Sequence, residues 1–399
     1  MAKYLFVVPP FYGHITATLG VGAELLRRGN MVYWVGLKEI GEGYLPEGGV
    51  FIVPEEVEKH RDQINEILLK QDAGTSIKGA DALDFEMDVT AMPFARIMFE
   101  GLINTIRDIK PDCIIHDESA LAGPICAELE NIPYATSITV PPGYFDPDLF
   151  FPEQKKAIFK RMMNFQKEFG VRTSRLVFNS DKLVLSYTST ELLSLYYGNF
   201  TFPQQFKFVG STVEGRPCPV GFDWARLHRP ATKIIYVSIG TVLNDIKSAI
   251  FTKIVEALKD KNFTVVANTD PGLFAEWPSN FIVQKTCPQL ELIRKSDLVI
   301  THGGFNTINE ALYFNKPMIL MPLAWDQFTN ADMVVHQGAG IKLKYRRIHS
   351  TDIFNAVQTI LKDNTYYKSA EKLGCSLRAG GGSQRAASLI ENLIVKTNK

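Results

Sequence analysis

The 399-residue sequence predicts an α/β protein of two similar halves, each a parallel sheet flanked by helices. Three observations predict it. The chain opens strand–helix–strand. That pattern stops near residue 210 and restarts near 231, after a stretch without periodicity. Close to residue 300, a strand runs into a glycine turn and then a helix.

Tyr4-Leu5-Phe6-Val7-Val8 is an unbroken apolar run bounded by Pro9-Pro10, the pattern of a strand buried on both faces. Ile15 to Arg28 has helical periodicity closed by Gly29-Asn30, and Met31 to Val35 is a second strand. Such a unit implies a right-handed crossover and a parallel sheet. Further strands are expected at Cys113–Ile115, Tyr134–Ile138 and Leu183–Leu185, and residues 55–110 read as mainly helical with breaks from Gly74 to Gly79. The first domain is therefore placed at 1–210. Residues 211–230 carry prolines and glycines without periodicity and read as a linker. Strands then recur at Lys233–Val237, Phe263–Ala267, Asp297–Ile300 and Pro317–Met321, which places a second domain at 231–379. Gly380-Gly381-Gly382 breaks the chain before an amphipathic helix over 384–395, so that 380–399 can cross back to the first domain. The expectation is a duplicated Rossmann-like architecture with a cleft between the halves.

Bulk composition excludes several classes. With 43 basic and 43 acidic residues, no net charge draws the protein to nucleic acid or acidic membranes. The five cysteines (113, 126, 218, 287, 375) form no C-x-x-C pair, which argues against a disulfide scaffold or zinc site and for a reducing, cytoplasmic setting. Lys3 to Pro10 is too short for a signal peptide, and no run approaches the roughly 18 apolar residues of a spanning helix. A soluble monomer or homodimer is expected.

The chemistry concentrates in Thr301-His302-Gly303-Gly304-Phe305-Asn306-Thr307-Ile308-Asn309-Glu310 and in Ala324-Trp325-Asp326-Gln327. Open α/β sheets bind ligands at the strands' carboxyl ends, and a helix start offers N–H groups and positive dipole to an anion. Asn306 and Glu310, four apart, share a helix face. The pattern suits a phosphate at the turn, a sugar diol at the carboxylate and another polyol at Asp326-Gln327. It resembles the sugar-nucleotide box of family 1 UDP-glycosyltransferases, here of the bacterial small-molecule type, whose GT-B fold has two facing Rossmann-like domains with an interdomain cleft.

The resemblance implies that His302 meets the β-phosphate, that Gly304, Asn306 and Thr307 add donors at the helix start, and that Glu310 accepts from the ribose. Asp326 and Gln327, with Trp325 beside them, would hold the sugar, and Gly240 with Thr241 would form a second phosphate loop. The family's box usually begins Trp-x-Pro-Gln, whose indole stacks on uracil; this chain has Thr286-Cys287-Pro288-Gln289. Gln289 is kept and backbone around Cys287 can pair with the base edge, but threonine cannot stack. A UDP-sugar is the favoured co-substrate, with a TDP-sugar the alternative; no prosthetic group or metal is implied.

His14, in Pro9-Pro10-Phe11-Tyr12-Gly13-His14, matches the family's catalytic histidine, on the loop leaving the first strand. Asp117, in Asp112-Cys113-Ile114-Ile115-His116-Asp117-Glu118-Ser119, matches the aspartate that orients it. A carboxylate on one imidazole nitrogen leaves the other as a base. His116 falls on the opposite strand face and reads as structural, whereas Glu118 and Asp112 compete with Asp117. No G-x-G-x-x-G follows the first strand, and no P-loop or nucleophile elbow occurs. Phe11, Phe85, Phe94, Tyr144 and Phe145 read either as the wall of a lipophilic acceptor pocket or as ordinary core. The reading is an inverting glycosyltransferase that takes a small-molecule acceptor and a nucleotide sugar. The alternatives are a sugar-nucleotide epimerase of the same fold or a non-catalytic nucleotide-sugar binder.

Overall fold

Two all-parallel sheets organise the chain in the computed structural model, which describes all residues except 41–42, 74–79, 143–154, 199, 228–231, 241–243 and 398–399. The first sheet runs β3-β2-β1-β4-β5-β6-β7. Its strands are β1 (Lys3–Val8), β2 (Met31–Gly36), β3 (Val50–Ile52), β4 (Cys113–Asp117), β5 (Tyr134–Ile138), β6 (Val184–Ser186) and β7 (Phe206–Phe208). The second runs β10-β9-β8-β11-β12-β13, built from β8 (Lys233–Ser238), β9 (Phe263–Asn268), β10 (Phe281–Gln284), β11 (Leu298–Thr301), β12 (Met318–Leu320) and β13 (Gly340–Lys342). Both reverse direction of winding at the centre, between β1 and β4 and between β8 and β11, where open sheets of this class bind ligands.

Side-chain alternation explains how β1 is buried on both faces. Leu5 and Val7 join Ile114 and the helices Met92–Ile109 and Ala122–Leu129 in one core layer. Tyr4, Phe6 and Val8 join Cys113 and Ile115, packing on the helices Tyr12–Arg27 and Gly382–Thr397. The same parity sorts the polar end of β4. Asp117 falls on the face of Cys113 and Ile115, towards the helix that carries His14; His116 falls on the face of Ile114.

The strands missed in sequence are β3, β7, β10 and β13. Each lies at or beside a sheet edge and is three or four residues long, too short to show a period. Residues 55–110 contain the helices Glu55–Glu58, Arg61–Ala73, Ala80–Phe85 and Met92–Ile109, joined before the last by a π-helical turn, Glu86–Ala91.

The chain forms two compact units. One comprises Met1–Thr188, Phe200–Pro217 and Gly380–Lys399; the other comprises Ser189–Asn199 and Cys218–Ala379. These differ from a split at 210. The helix Thr190–Tyr197 packs on Gln327–His336 of the second unit, where Gln337 Nε2 donates to Glu191 O (2.7 Å) and Ser194 Oγ (2.6 Å). Residues 211–217 are tied to the first unit, Thr212 Oγ1 donating to Ala17 O at 2.6 Å. The last helix is held there by Arg28, which donates to Glu391 Oε2 (2.6 Å), Ser388 Oγ (2.9 Å) and Gln384 O (2.9 Å).

His116 shows what a fully satisfied core histidine requires. Nδ1–H donates to Asp117 O (2.9 Å), so Nε2 carries the lone pair and accepts from Thr136 Oγ1 (2.8 Å), which in turn accepts from Ser180 N. A Cβ on Gly123 would lie 2.6 Å from His116 Cβ, so only glycine fits beneath it. Burial lowers the imidazole to about 4. Its folded value lies below the ordinary 6.5, so the unfolded chain binds the proton first as pH falls. Stability contributed by the neutral ring is present above about 6.5 and lost between there and 4. Denaturant unfolding should therefore show the wild type losing about 2 kcal/mol more between pH 7 and 5 than His116→Gln. Equal slopes would contradict the assignment.

Candidate functional site

In the first unit, polar groups collect where β1, β4 and β5 end. His14 is not on a loop: it lies in the first turn of Tyr12–Arg27, with its N–H on Phe11 O at 3.0 Å. The helix starts ahead of its apolar period because Tyr12 and Gly13 are exposed and show no core-facing pattern. His14 Nδ1 lies 2.9 and 3.0 Å from the two Asp117 oxygens. A carboxylate only accepts, so Nδ1 carries a proton, and in the neutral ring the lone pair is on Nε2. Among the described residues nothing hydrogen-bonds Nε2. Asp117 Oδ1 also accepts from Ser119 N at 2.9 Å, which holds the carboxylate in place.

Two further groups enter: Thr139, which sequence reasoning did not assign, and Glu118, which stood there only as a competitor of Asp117. Thr139, one residue past β5, has Oγ1 2.9 Å from His14 Nδ1 and donates to Glu118 Oε1 at 2.9 Å. Glu118 also accepts from Thr139 N at 3.1 Å and lies 3.9 Å from His14 Nδ1. The clue available in sequence was the Thr at the end of a strand next to β4. Burial disfavours charge on His14, but the Asp117 carboxylate, by charge and by hydrogen bond, outweighs it with help from Glu118 and Glu86 and raises the imidazole to about 10. Burial and Asp117 push Glu118 well above the usual carboxyl range. Glu86, on the π-helical turn, is raised to about 7 by burial, against the opposing charge of His14. Oxygens of Asp117 and Glu118 and Nδ1 of His14 lie within 4.8 Å of one another, close enough for metal ligands. However, Nδ1 holds a proton for Asp117, so the set as it stands is an acid–base cluster.

Of the proposed acceptor residues, Phe11 packs 5.6 Å from the His14 ring and 6.2 Å from Phe94, centroid to centroid. Phe94 is itself core. Phe85 ends the helix Ala80–Phe85 and, among the described residues, shares no ring contact with that pair. Tyr144 and Phe145 lie outside the described residues.

In the second unit the corresponding strand ends, β8 and β11, carry Ser238 and Thr301 side by side. His302 follows β11, and its ring fills the space between two glycines. A Cβ on Gly240 would lie 2.9 Å from His302 Nε2, and one on Gly304 2.8 Å. Gly240 also has φ +80° and Gly303 +91°, so the turn needs glycine for its backbone as well. Burial lowers His302 to about 4, with a backbone hydrogen bond at Ser238 opposing, so the ring is neutral at pH 7. Thr241 lies outside the described residues.

Gly304 is the N-cap of Phe305–Tyr313, whose first turn contains Asn306 and Thr307. Glu310, one turn on, is buried and accepts from Gln289 Nε2 at 2.7 Å. Gln289, first residue of the helix Gln289–Lys295, accepts through Oε1 from Tyr236 Oη (3.2 Å) and Ser238 Oγ (3.4 Å). The structure thus brings Gln289, Thr307 and Glu310 together, with Tyr236 as an unforeseen support. Cys287 is buried, its thiol raised to about 12 by burial and turned to Gln284 O (3.7 Å). Any base contact there falls to its backbone.

Trp325 has φ +48°, an uncommon state for a bulky residue, between β12 and the helix Gln327–His336. Asp326 N-caps that helix and accepts from Asn330 Nδ2 at 2.8 Å. Gln327 is turned inward: its Oε1 accepts from Leu323 N (2.9 Å) and Ala324 N (3.1 Å), so only its Nε2 is left for a ligand.

The model of the family UDP-glucoronosyl and UDP-glucosyl transferase matches residues 156–377, more than half of the chain. The uncharacterized UDP-glucosyltransferase YojK of Bacillus subtilis (strain 168) is 26% identical over 420 residues, covering 100% of this chain and 99% of that protein. The NDP-glycosyltransferase YjiC of the same strain is 26% identical over 400 residues, covering 97% and 96%. Among solved structures, the spinosyn rhamnosyltransferase SpnG complexed with thymidine diphosphate aligns at TM-score 0.69 and 19% identity, covering 98% of this chain and 99% of that one. The same enzyme complexed with spinosyn aglycone aligns at TM-score 0.69 and 18% identity, over 98% and 100%. Among the described residues, no helix is long and apolar enough to cross a membrane. The chain belongs to the UDP-glucoronosyl and UDP-glucosyl transferase family: it is a family 1 glycosyltransferase with the GT-B fold.

Proposed function

We propose that the protein is an inverting glycosyltransferase that moves a sugar from a nucleoside diphosphate sugar to a hydroxyl of a lipophilic or aromatic small molecule. The observation that carries this is His14 with Nδ1 held by Asp117 and Nε2 open. Nε2 takes the acceptor's hydroxyl proton. The oxygen forms its bond to the anomeric carbon while the carbon–phosphate oxygen bond breaks on the opposite side, giving a β-glycoside from an α-linked donor. Asp117 stabilises the resulting imidazolium.

The second unit is assigned the donor. The leaving diphosphate lies at the N-terminus of Phe305–Tyr313, where the helix dipole and the N–H groups of its first turn balance its charge. His302, neutral at pH 7, adds hydrogen bonding rather than full charge. Glu310, steered by Gln289, takes the ribose hydroxyls, and Asp326 with Gln327 Nε2 takes the sugar. A UDP-sugar such as UDP-glucose is favoured by the family to which the chain belongs. Thr286 in place of a stacking indole, together with the thymidine diphosphate held by SpnG, keeps a TDP-sugar as the second candidate. The Phe11–Phe94 pair beside His14 supports an apolar acceptor, in line with the aglycone bound by SpnG.

A donor-by-acceptor panel read by mass spectrometry, with product configuration assigned by NMR, tests the reading. Formation of a sugar epimer from donor alone, without nucleotide release, would replace it. His14→Ala should abolish transfer to alcohols while nucleotide still binds; undiminished turnover would remove His14 as the base. With the imidazole near 10, the base is protonated at neutral pH in the free protein, so kcat/KM should rise with pH between 7 and 9. Asp117→Asn should move that limb down towards 6.5, and an unmoved limb would count against the pairing. Glu310→Ala should raise the donor KM by about 10-fold or more with a smaller change in kcat.

A further inference from the structure

Beside Asp117, a second acidic branch reaches the same nitrogen of His14. Thr139 Oγ1 is 2.9 Å from Nδ1 and 2.9 Å from Glu118 Oε1, while Glu118 itself stands 3.9 Å from Nδ1. A threonine hydroxyl has one proton and two lone pairs. Its proton goes to Glu118, so a lone pair faces the Nδ1–H that Asp117 also accepts. Both carboxyl groups are buried, each 1% exposed. Glu118 is locked from its other side by Thr139 N–H, donated to both of its oxygens at 3.1 Å. A buried acid is costly unless it is hydrogen-bonded or faces a cation. The basic group within its reach is His14.

We propose that Glu118 and Thr139 are positioning residues for His14: the Thr139 hydroxyl couples the Glu118 carboxyl to Nδ1, and this branch, alongside Asp117, sets how tightly Nε2 holds a proton. The inference rests on the reading of His14 as the base, and it concerns that same site.

The neighbouring elements are compatible with this role. From the end of β4 come Asp117 and Glu118, from the π-helical turn comes Glu86, and from beyond β6 comes Tyr187. Tyr187 is held neutral by burial, and its hydroxyl is engaged with Ser137 at 2.9 Å. Asp117 and burial both oppose negative charge on Glu118, and positive charge on His14 favours it. Charge on the acid and charge on the imidazole therefore support each other across one hydroxyl. Asp117 alone could orient the ring; the second branch tunes its affinity.

The test reads the proton on His14 directly. In 15N-histidine-labelled protein, the His14 signals are assigned by their loss in His14→Ala and titrated in wild type, Glu118→Gln, Thr139→Val and Thr139→Ser. Glu118→Gln and Thr139→Val should each lower the His14 pKa by about 1 unit, as expected when an opposite charge or its link is removed within a few ångströms. Thr139→Ser, which keeps the hydroxyl, should restore the wild-type value. The kcat/KM limb should shift in step. Unchanged titrations in both Glu118→Gln and Thr139→Val, or a Ser variant indistinguishable from Val, would overturn the proposal. Shifted titrations with no matching shift in the rate profile would instead reject His14 as the base, so the two failures are distinct. If Glu118→Gln does not fold, the Thr139 pair decides the matter alone.

Discussion

The lateral pairing of β1 with β4, and of β8 with β11, is the constraint on which both sites depend. Parallel strands end on the same side, and the crossovers leave these two pairs in opposite directions, so side chains at their carboxyl ends face a gap rather than a neighbouring strand. In the first unit that gap takes His14 and Asp117. In the second it takes the Gly240 turn and His302. One topological solution therefore serves twice, with different chemistry: the first gathers carboxylates around an imidazole, and the second uses glycine to make room for one.

Electrostatics at β4 show how one environment produces opposite effects on two histidines. Burial penalises charge on both rings. His116 meets a carbonyl and a hydroxyl, which complete a neutral ring and leave it lowered to about 4. His14 meets the carboxylate of the same Asp117 whose carbonyl serves His116, and rises to about 10. The strand's alternation divides the two, sending one side chain to each face. Opposite shifts of two imidazoles thus arise around a single aspartate.

The second unit is organised by buried polar groups that satisfy one another. Tyr236 and Ser238 hold the Gln289 carbonyl, whose amide then steers Glu310. A buried carboxylate is costly without such partners. The left-handed Trp325 adds backbone strain beside Asp326 and Gln327. Gln327 restrains that segment by accepting two backbone N–H groups, which leaves it less available to a ligand than its place in the motif implies.

Much of the fold was legible because it is local. The apolar run of β1, the glycine turn at 302–304 and the spacing of Asn306 and Glu310 follow from strand and helix periods and from the turn's need for positive φ. Short edge strands such as β3 and β13 were not, since three residues carry no period. Nor was the packing of 189–199 with the second unit, which depends on contacts more than a hundred residues away. The same division runs through the candidate site. The sequence by itself determined which residues have the right chemistry and which strand ends carry them. Only the tertiary structure decided that His14 meets partners 103 and 125 residues away, that Thr139 joins it to Glu118, and that Gln327 turns inward. The physical reason is that distances of 3 Å between such groups are set by strand order and crossover direction, which no local pattern encodes.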